Sequence, residues 1–490
     1  MKTCFILVVL LAWHGTVSAD AIASDYDANY LLFEAHPLNA DSPATLPFTS
    51  MAAAVKPELV TGTAPAALPA PAIDHAAAEA TVAAYQDKIE SMMSVETPYS
   101  RELFEQLIGL ASAYQQLGQH DEALTTLERA EFLGRVNNGL YSPEQFAVVG
   151  MMVESLMASG QMNEAMQKQQ YLLYLQRQHF GVDSTALAPG LERLGDWATT
   201  AFNNGVHGSD SIGFSFSGGS SRTVLSPRGF ALASLDLARF HYFDAIGKLV
   251  MARDLDNPQL PGLEQKLLHN LYLAGHRTGL MDNPSFYLAA RRYNTGSRIS
   301  VDEFEYNMYY YEQGRNALQR LQFYQTRFQP TSADQLLHTF LSIADWSLLF
   351  NRQRDAEAGY QQAYALVRDN PVLATSGQQQ LNPALPVLLP DFMPLPHSRG
   401  YFGIADNKPV AFEGYLDVSF DVLRSGDVKH VRVLGKSGNV TSAIERRLRR
   451  LLGSTPQRPR LENGQPVAHD DIKVRYYFAD MRGVAPTFNQ

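Results

Sequence analysis

The sequence predicts a mainly α-helical protein, an α-solenoid of helical hairpins followed by a small two-layer α+β module. The first observation is an internal repeat, because the stretch that starts at Gly118 recurs in near copy from Gly160, 42 positions later. Each copy, GQHDEAL and GQMNEAM, lies between two segments of helical length with apolar residues every three or four positions. The second observation is that this period changes to two beyond residue 400, as in β-strands. Stacked repeats usually bind partners rather than catalyse reactions.

The chain begins with a segment that has the features of a secretory signal. Lys2 supplies a positive charge, residues 5–13 are mostly apolar, and the small residues 17–19 precede the predicted cleavage site. We expect residues 1–19 to be cleaved and the protein to lie in the periplasm of a Gram-negative envelope; the alternative is an uncleaved anchor. Cys4 is the single cysteine, so the cleaved protein has no disulfide and no thiolate metal site. We expect no transmembrane helix after cleavage, because no other apolar stretch reaches spanning length.

Residues 20–80 have the composition of a disordered linker. They contain 18 Ala and 7 Pro, and side chains this small cannot build a core that offsets the entropy of ordering. The apolar patch at residues 30–33 leaves two interpretations, a short docking segment or a chance cluster, and the second is favoured.

From residue 81 to residue 370 the pattern is helical. Gly118 ends one helix of the first hairpin, and the small Ala123 allows the next helix to approach it closely. A third hairpin is predicted from Leu187, followed by a flexible Gly/Ser-rich insert at 205–226 and, after units of unassigned register, a last hairpin that turns at Asn351. The apolar face of the first hairpin comprises Leu103, Leu107, Leu110, Ala111, Tyr114, Leu127 and Ala130.

These positions resemble those of a tetratricopeptide repeat. The first hairpin matches at Gly118 and Ala123 and the second at Gly160 and Ala165, although Gln169 replaces an expected bulky residue. The period of 42 residues exceeds the usual tetratricopeptide period of about 34, so the resemblance is to a longer variety. It implies a superhelix with a concave groove that binds a peptide or a helix.

Residues 371–399 form a Pro-rich connector, and residues 400–480 form a module that we expect to fold separately. Residues 416–422 alternate between apolar and polar side chains, as a half-buried strand does, and a hairpin turn leads to a partner strand. An amphipathic helix over 440–452 and a strand over 472–478 follow. The order strand–strand–helix–strand (ββαβ) is that of a small two-layer α+β unit.

The order and spacing of these elements resemble the C-terminal domain of the TonB family of energy transducers. Gly414, the turn at Gly426, Pro459 and residues 464–467 match. The resemblance implies that a partner's extended segment pairs with an open sheet edge. The chain departs from the family in its N-terminus, because a true transducer keeps a membrane anchor. We expect the open edge to be the last strand, with Ile472, Val474 and Tyr476 as its partner-binding residues.

The module is also basic, with 12 Lys and Arg against 7 Asp and Glu over residues 414–478. Two interpretations remain open for the charge on its helix. A solvated outer face near a helix C-terminus is favoured, and the other is a site for an anionic partner, either peptidoglycan or an acidic protein. The residues concerned are Arg446, Arg447, Arg449 and Arg450.

No enzyme motif is present, and we expect no catalytic, metal or cofactor site. Asp417 and Asp421 are expected to face solvent, and His241 and His269 to be packing or surface residues rather than metal ligands. The net charge of −10 argues against nucleic-acid binding. We therefore expect a periplasmic scaffold that binds cell-envelope proteins or peptides through a repeat groove and a sheet edge. The alternative is a TonB-like transducer, anchored in the inner membrane and acting on outer-membrane receptor segments.

Overall fold

The computed structural model describes residues 31–38, 75–95, 99–203, 227–277, 299–328, 331–393 and 408–481, with a few residues between the last two ranges. The predicted signal at 1–19 and the predicted insert at 205–226 lie outside these residues.

The helices that follow the first strand pack in sequence order, each mainly against the helix before it and the helix after it. This neighbour-only packing is that of a solenoid, so the predicted helical repeat architecture is confirmed. The bounds are α1 His75–Val95, α2 Arg101–Gln116, α3 His120–Asn138, α4 Glu144–Ala158, α5 Met162–Phe180, α6 Ala188–Asn203, α7 Pro227–Met251, α8 Gln259–Arg277, α9 Ile299–Arg327, α10 Ala333–Leu349 and α11 Gln353–Asp369.

The turns of the repeated hairpins use left-handed backbone. Gly118 and Gly160 connect α2 to α3 and α4 to α5 with φ of +73° and +76°, a conformation that glycine adopts without a steric clash. Asn351 makes the equivalent turn between α10 and α11 with φ of 58°. After the first two turns Ala123 and Ala165 are each 0% exposed, which confirms the register predicted from the sequence.

The core of the array follows the predicted apolar faces. Leu187 and Leu191 of the third hairpin are completely buried. Gln169, which stands where a bulky apolar residue is expected, is itself buried at 2% exposure. In the first hairpin Tyr114 is half-buried, and the buried residues are Leu103, Leu107, Leu110, Ala111, Leu127 and Ala130.

The C-terminal module contains the predicted strand–strand–helix–strand unit. The bounds are β1 Leu31–Pro37, α12 Ser376–Leu381, β2 Gly414–Val422, β3 Val428–Lys436, α13 Ser442–Ser454, β4 Arg460–Glu462, β5 Gln465–Val467 and β6 His469–Asp480. One four-stranded antiparallel sheet has the order β1–β6–β2–β3, and helix α13 packs over one face of it with Leu448 and Leu452 in the shared core. Strands β4 and β5 form a separate two-stranded sheet.

Two predicted boundaries differ from the structure. The predicted disordered linker contains strand β1, and α1 begins at His75 rather than after residue 80. The connector, predicted to lack helix, holds the short helix α12, whose Gly377 and Leu381 are buried against the array. Both segments gain their structure from contacts with distant parts of the chain, which local composition does not record.

The module is joined to the helical array by close packing. Leu461 of β4 belongs to the same apolar core as α10 and α11, and Gly464 lies against Tyr364 of α11. The backbone N–H of Leu389, in the connector, donates to the carbonyl of Pro456 at 2.9 Å. Of the helices whose residues are described, none has the length and apolarity to cross a membrane.

Candidate interaction sites

The last strand of the module is not an edge strand. β6 pairs with β2 along one side and with β1 along the other, so the prediction of an open edge there is wrong. The edge is covered because β1, from the other end of the chain, occupies it. Val474 and Tyr476 are buried in the core shared with α13, and Ile472 is half-buried beside it. A role for these three residues in partner binding stays a prediction.

Strand β1 closes this edge by antiparallel pairing and by packing on both faces of the sheet. Successive side chains of a strand point to opposite faces. Phe33 therefore joins the core beneath α13, and Leu32, at 0% exposure, packs against Ile404 and Met481 on the other face. The paired residues are Leu31–Asp480, Leu32–Ala479, Phe33–Phe478, Glu34–Tyr477, Ala35–Tyr476, His36–Arg475 and Pro37–Val474.

An ion pair fixes β1 to the segment before β2. The Arg399 guanidinium donates to the Glu34 carboxylate at 2.7 Å, and both side chains are largely buried. Burial raises the pKa of Glu34, but hydrogen bonds from His36 and Arg399 outweigh it and hold that pKa below its usual value. Glu34 is therefore ionised at neutral pH, and its charge contributes to holding the strand in place.

The outward carboxylates of β2 are engaged rather than simply solvated. Asp417 accepts two hydrogen bonds from Arg475 of β6 at 2.6 and 2.9 Å, and the Arg475 guanidinium stacks over Tyr415. Asp421 accepts a bond from the backbone N–H of Asp471 and contacts the ring of His430. These bonds cross-link neighbouring strands, which corrects the expectation that Asp417 and Asp421 only face water.

The four arginines of α13 do not form one uniform surface. Arg449 is half-buried and is used inside the module, because it donates to Glu445 at 3.1 Å and to the carbonyl of Val431. Arg446 and Arg450 are exposed, and Arg447 is half-buried. Arg446 and Arg450 are thus the most exposed of the four arginines, and binding of an anionic partner at the four stays a prediction.

A buried ion pair that the sequence did not reveal joins the module to the array. Arg458 follows α13 and is 3% exposed in its side chain, and Asp345 of α10 is 0% exposed. The guanidinium donates to both Asp345 oxygens, and it also contacts Asp391 at 3.3 Å. Burial opposes the charge of Arg458, but Asp345 outweighs it and raises the arginine's pKa. Tyr360 donates a further bond of 2.7 Å to Asp345.

Exposed tyrosines mark one surface of the array. Tyr141 follows α3 and is 39% exposed, and Tyr174 of α5 is 46% exposed. Their hydroxyl oxygens lie 3.2 Å apart, and Tyr171 stacks on Tyr174 at 6.5 Å between ring centroids. Lys168 lies over the ring of Tyr171 and pairs with Glu131 of α3 at 3.0 Å. We call Tyr141, Tyr171 and Tyr174 the tyrosine cluster; it lies where the connector after α3 meets α5.

The histidines singled out in the sequence are packing residues. Burial lowers the pKa of His241 to about 4, and neighbouring Arg177 adds to this effect, so the ring is neutral at physiological pH. Burial likewise lowers the pKa of His269 to about 4. Within the described ranges, no three His, Cys, Asp or Glu side chains come together in an arrangement that could hold a metal ion.

Comparison with known proteins finds similarity in solved structures only. Neither a protein-family model nor a curated protein matches the chain. BtubC (BKLC) from P. vanneervenii is 12% identical, with 60% of this chain and 92% of that chain covered and a TM-score of 0.32.

Two structures of a Podosopora anserina putative kinesin light chain with nearly identical TPR-like repeats are also similar. One of them, a single-substitution variant, is 14% identical, with 56% and 98% of the two chains covered and a TM-score of 0.31. The other is 13% identical, with 56% and 100% covered and a TM-score of 0.32. The description of this chain as a helical repeat array rests on its own hairpins and their packing.

Proposed function

We propose that this chain is a protein-interaction scaffold in the periplasm and not an enzyme. The observation that carries the proposal is the tyrosine cluster, in which Tyr141, from the connector between the first two hairpins, meets Tyr174 of the second hairpin and both rings stay exposed. Exposed aromatic rings that are already held in place lose little entropy on binding, and tyrosine is enriched among the residues that dominate interface energies. A partner segment laid across the first two hairpins would cover these rings.

The partner class follows from the surroundings of the cluster. Lys168 lies over Tyr171, and Lys168 and Arg135 of α3 both pair with Glu131 at 3.0 and 3.6 Å. Two cations and one anion therefore act on Tyr171, which leaves an excess of positive charge there. This combination favours a polypeptide segment with apolar and acidic side chains. Cell-envelope proteins or peptides fit this description, and the signal-like residues 1–19 support their compartment.

The C-terminal module supplies the second contact of the proposal. Its element order resembles the TonB C-terminal domain, and its sheet pairs with an extended segment at β6. Outer-membrane receptor segments would bind by strand pairing, and peptidoglycan or an acidic protein would bind at the exposed Arg446 and Arg450. The anchored transducer remains the alternative to a free scaffold, and the two differ in whether residues 1–19 are retained.

The tyrosine cluster is tested with two double variants of the full chain. Tyr141→Ser/Tyr174→Ser removes the exposed rings, and Phe240→Ser/Phe323→Ser removes two exposed rings from other helices as a matched control. Each is used for capture from envelope extract, followed by titration of the purified captured protein. We expect the control to bind the captured protein with the dissociation constant of the unmodified chain. The tyrosine variant should bind it at least about tenfold more weakly. Equal binding by all three chains would refute a role for the cluster.

A further inference from the structure

Strand β1 is an addition to a sheet that is otherwise continuous in sequence. β2, β3, α13 and β6 follow one another within residues 414–480, whereas β1 spans residues 31–37 and precedes the whole helical array. The ββαβ unit therefore has its own strand order and its own helix-covered core without β1. Taking β1 away leaves a three-stranded sheet with one side of β6 free to pair.

The groove that β1 fills selects a definite kind of segment. On one face of the sheet Phe33 enters the core under α13, and on the other Leu32 packs into an apolar cluster with Ile404 and Met481. Arg399 supplies a buried cation opposite Glu34. An occupant thus needs two adjacent apolar residues followed by an acidic residue, in extended conformation and antiparallel to β6.

The covalent connection sets how strongly β1 competes for its own site. Thirty-seven residues, positions 38–74, lie between β1 and α1. The tether makes the binding of β1 intramolecular, so a free partner competes against an effective concentration of β1, which is about a millimolar for short flexible linkers. A segment held in this way excludes weak competitors, but a free partner with better contacts displaces it. When the site is open for only a tenth of the time, the apparent dissociation constant rises about tenfold.

We propose that the β6 edge is a strand-exchange site at which Leu31–Pro37 is an intramolecular placeholder for a partner's extended segment. The partner segment carries two adjacent apolar residues and then an acidic residue, and it pairs antiparallel with β6. This inference rests on the sheet-edge half of the proposed function. It adds the residue types that the partner segment needs, and it explains why the β6 edge is occupied when no partner is bound.

The first test measures binding of a fluorescent peptide with the sequence of residues 30–38, YLLFEAHPL. The full chain is compared with Leu32→Asp/Phe33→Asp, which removes the two apolar anchors of β1. The matched control is Met251→Asp/Val372→Asp, which places the same charges at exposed apolar positions (86% and 77%). We expect the anchor variant to bind the peptide at least about tenfold more tightly than the unmodified chain and the control. A peptide with Asp at both anchor positions should bind none of them.

A second test holds β1 in place instead of releasing it. Leu31→Cys/Asp480→Cys, in a chain that also carries Cys4→Ser, is joined by a short bismaleimide across the paired positions. We expect an intramolecular cross-link and loss of peptide binding. The same variant capped with N-ethylmaleimide should retain the binding of the unmodified chain.

Three outcomes would overturn the inference. Equal peptide binding by the anchor variant and the unmodified chain would mean that β1 does not close the site. Undiminished peptide binding after the intramolecular cross-link would also mean that β1 does not close the site. This readout holds even if the anchor variant fails to fold. A cross-link formed only between two copies would assign the strand to a partner chain. These readouts use no envelope protein, so they can fail while the tyrosine cluster still captures its partner, and the reverse also holds.

Discussion

Arg458 and Asp345 lie 113 residues apart in the sequence and form a buried ion pair between the C-terminal module and the last helical hairpin. Both oxygens of the carboxylate are bonded to the guanidinium, and Tyr360 donates to it as well. A buried ion pair stabilises the fold little more than a well-packed apolar pair would. Removal of one partner, however, leaves a buried charge unpaired, which strongly destabilises the fold. The pair therefore makes the position of the module dependent on the array.

Arg458→Met tests this dependence. We expect the free energy of unfolding to fall by about 3–5 kcal/mol, because Asp345 keeps its charge without its partner. Urea titration followed by circular dichroism measures the change. Arg460→Met is the matched control, since its side chain is 52% exposed and its change should be within about 0.5 kcal/mol. A loss of similar size in both variants would contradict the assignment.

Ala123→Glu tests the close approach of α2 and α3. Ala123 is 0% exposed, so a glutamate there buries an unpaired charge or forces the two helices apart. We expect a loss of about 3 kcal/mol or more in thermal or urea unfolding. Thr125→Glu, at an exposed position of the same helix, should change stability little. Equal stability of the two variants would show that the hairpin register is wrong.

Burial of His241 makes the stability of the array depend on pH. Its pKa is lowered from 6.5 to about 4 in the folded chain, so the unfolded chain binds a proton first as the pH falls. Its contribution to stability is therefore complete above pH 6.5 and is lost as the pH falls from there towards 4.

The loss at pH 5 amounts to about 2 kcal/mol for this one group. His241→Leu should make the free energy of unfolding less dependent on pH between 7 and 5 by about this amount, as measured by urea titration at each pH. The neighbouring charges of Arg177 and Asp244 are unchanged in the variant. A pH dependence identical to that of the unmodified chain would contradict burial of a neutral ring.

Glu34→Gln tests the ion pair that holds β1. Loss of a charged hydrogen bond of this kind costs about 1.5 kcal/mol or more, which corresponds to amide exchange faster by roughly tenfold. We expect faster hydrogen–deuterium exchange over Leu31–Pro37, measured by mass spectrometry, with the helices of the array unchanged. Glu79→Gln, at an exposed position of α1, is the control. Unchanged exchange in β1 would show that Arg399 does not fix the strand.

N-terminal sequencing of the mature protein tests the predicted signal. We expect a protein that begins at Asp20, because the small residues 17–19 precede it. Recovery of intact Met1 in membrane-bound material would favour the anchored transducer.

The repeat architecture could be predicted from the sequence because the residues that determine it are local and periodic. Glycine at a left-handed turn and alanine at a helix contact leave a fixed spacing, as Gly118 and Ala123 show, and the second copy confirms the register. The ββαβ order was accessible for the same reason. The apolar alternation on β2 and β6 reflects the face of the sheet that α13 covers.

The closed edge of the sheet could not be predicted from the sequence in this way. β1 lacks simple alternation because Leu32 and Phe33 are both buried, on opposite faces. Its partner strand is also more than 400 positions away, where no local pattern can point to it. Arg458 was missed for a related reason, since a single arginine after a basic helix has the same appearance as a solvated charge. Pairing with Asp345 is a property of the tertiary fold alone.

The pairing of Leu31 with Asp480 also determines the order in which the protein can be completed during synthesis. The two residues are 449 positions apart, nearly the full length of the chain. At roughly 5–20 residues per second, the ribosome needs tens of seconds to make the intervening chain. The hairpins, whose contacts are local, can fold without waiting for β6. Strand β1 is the first part of the described structure to be made, but the sheet closes only after β6 has also been made.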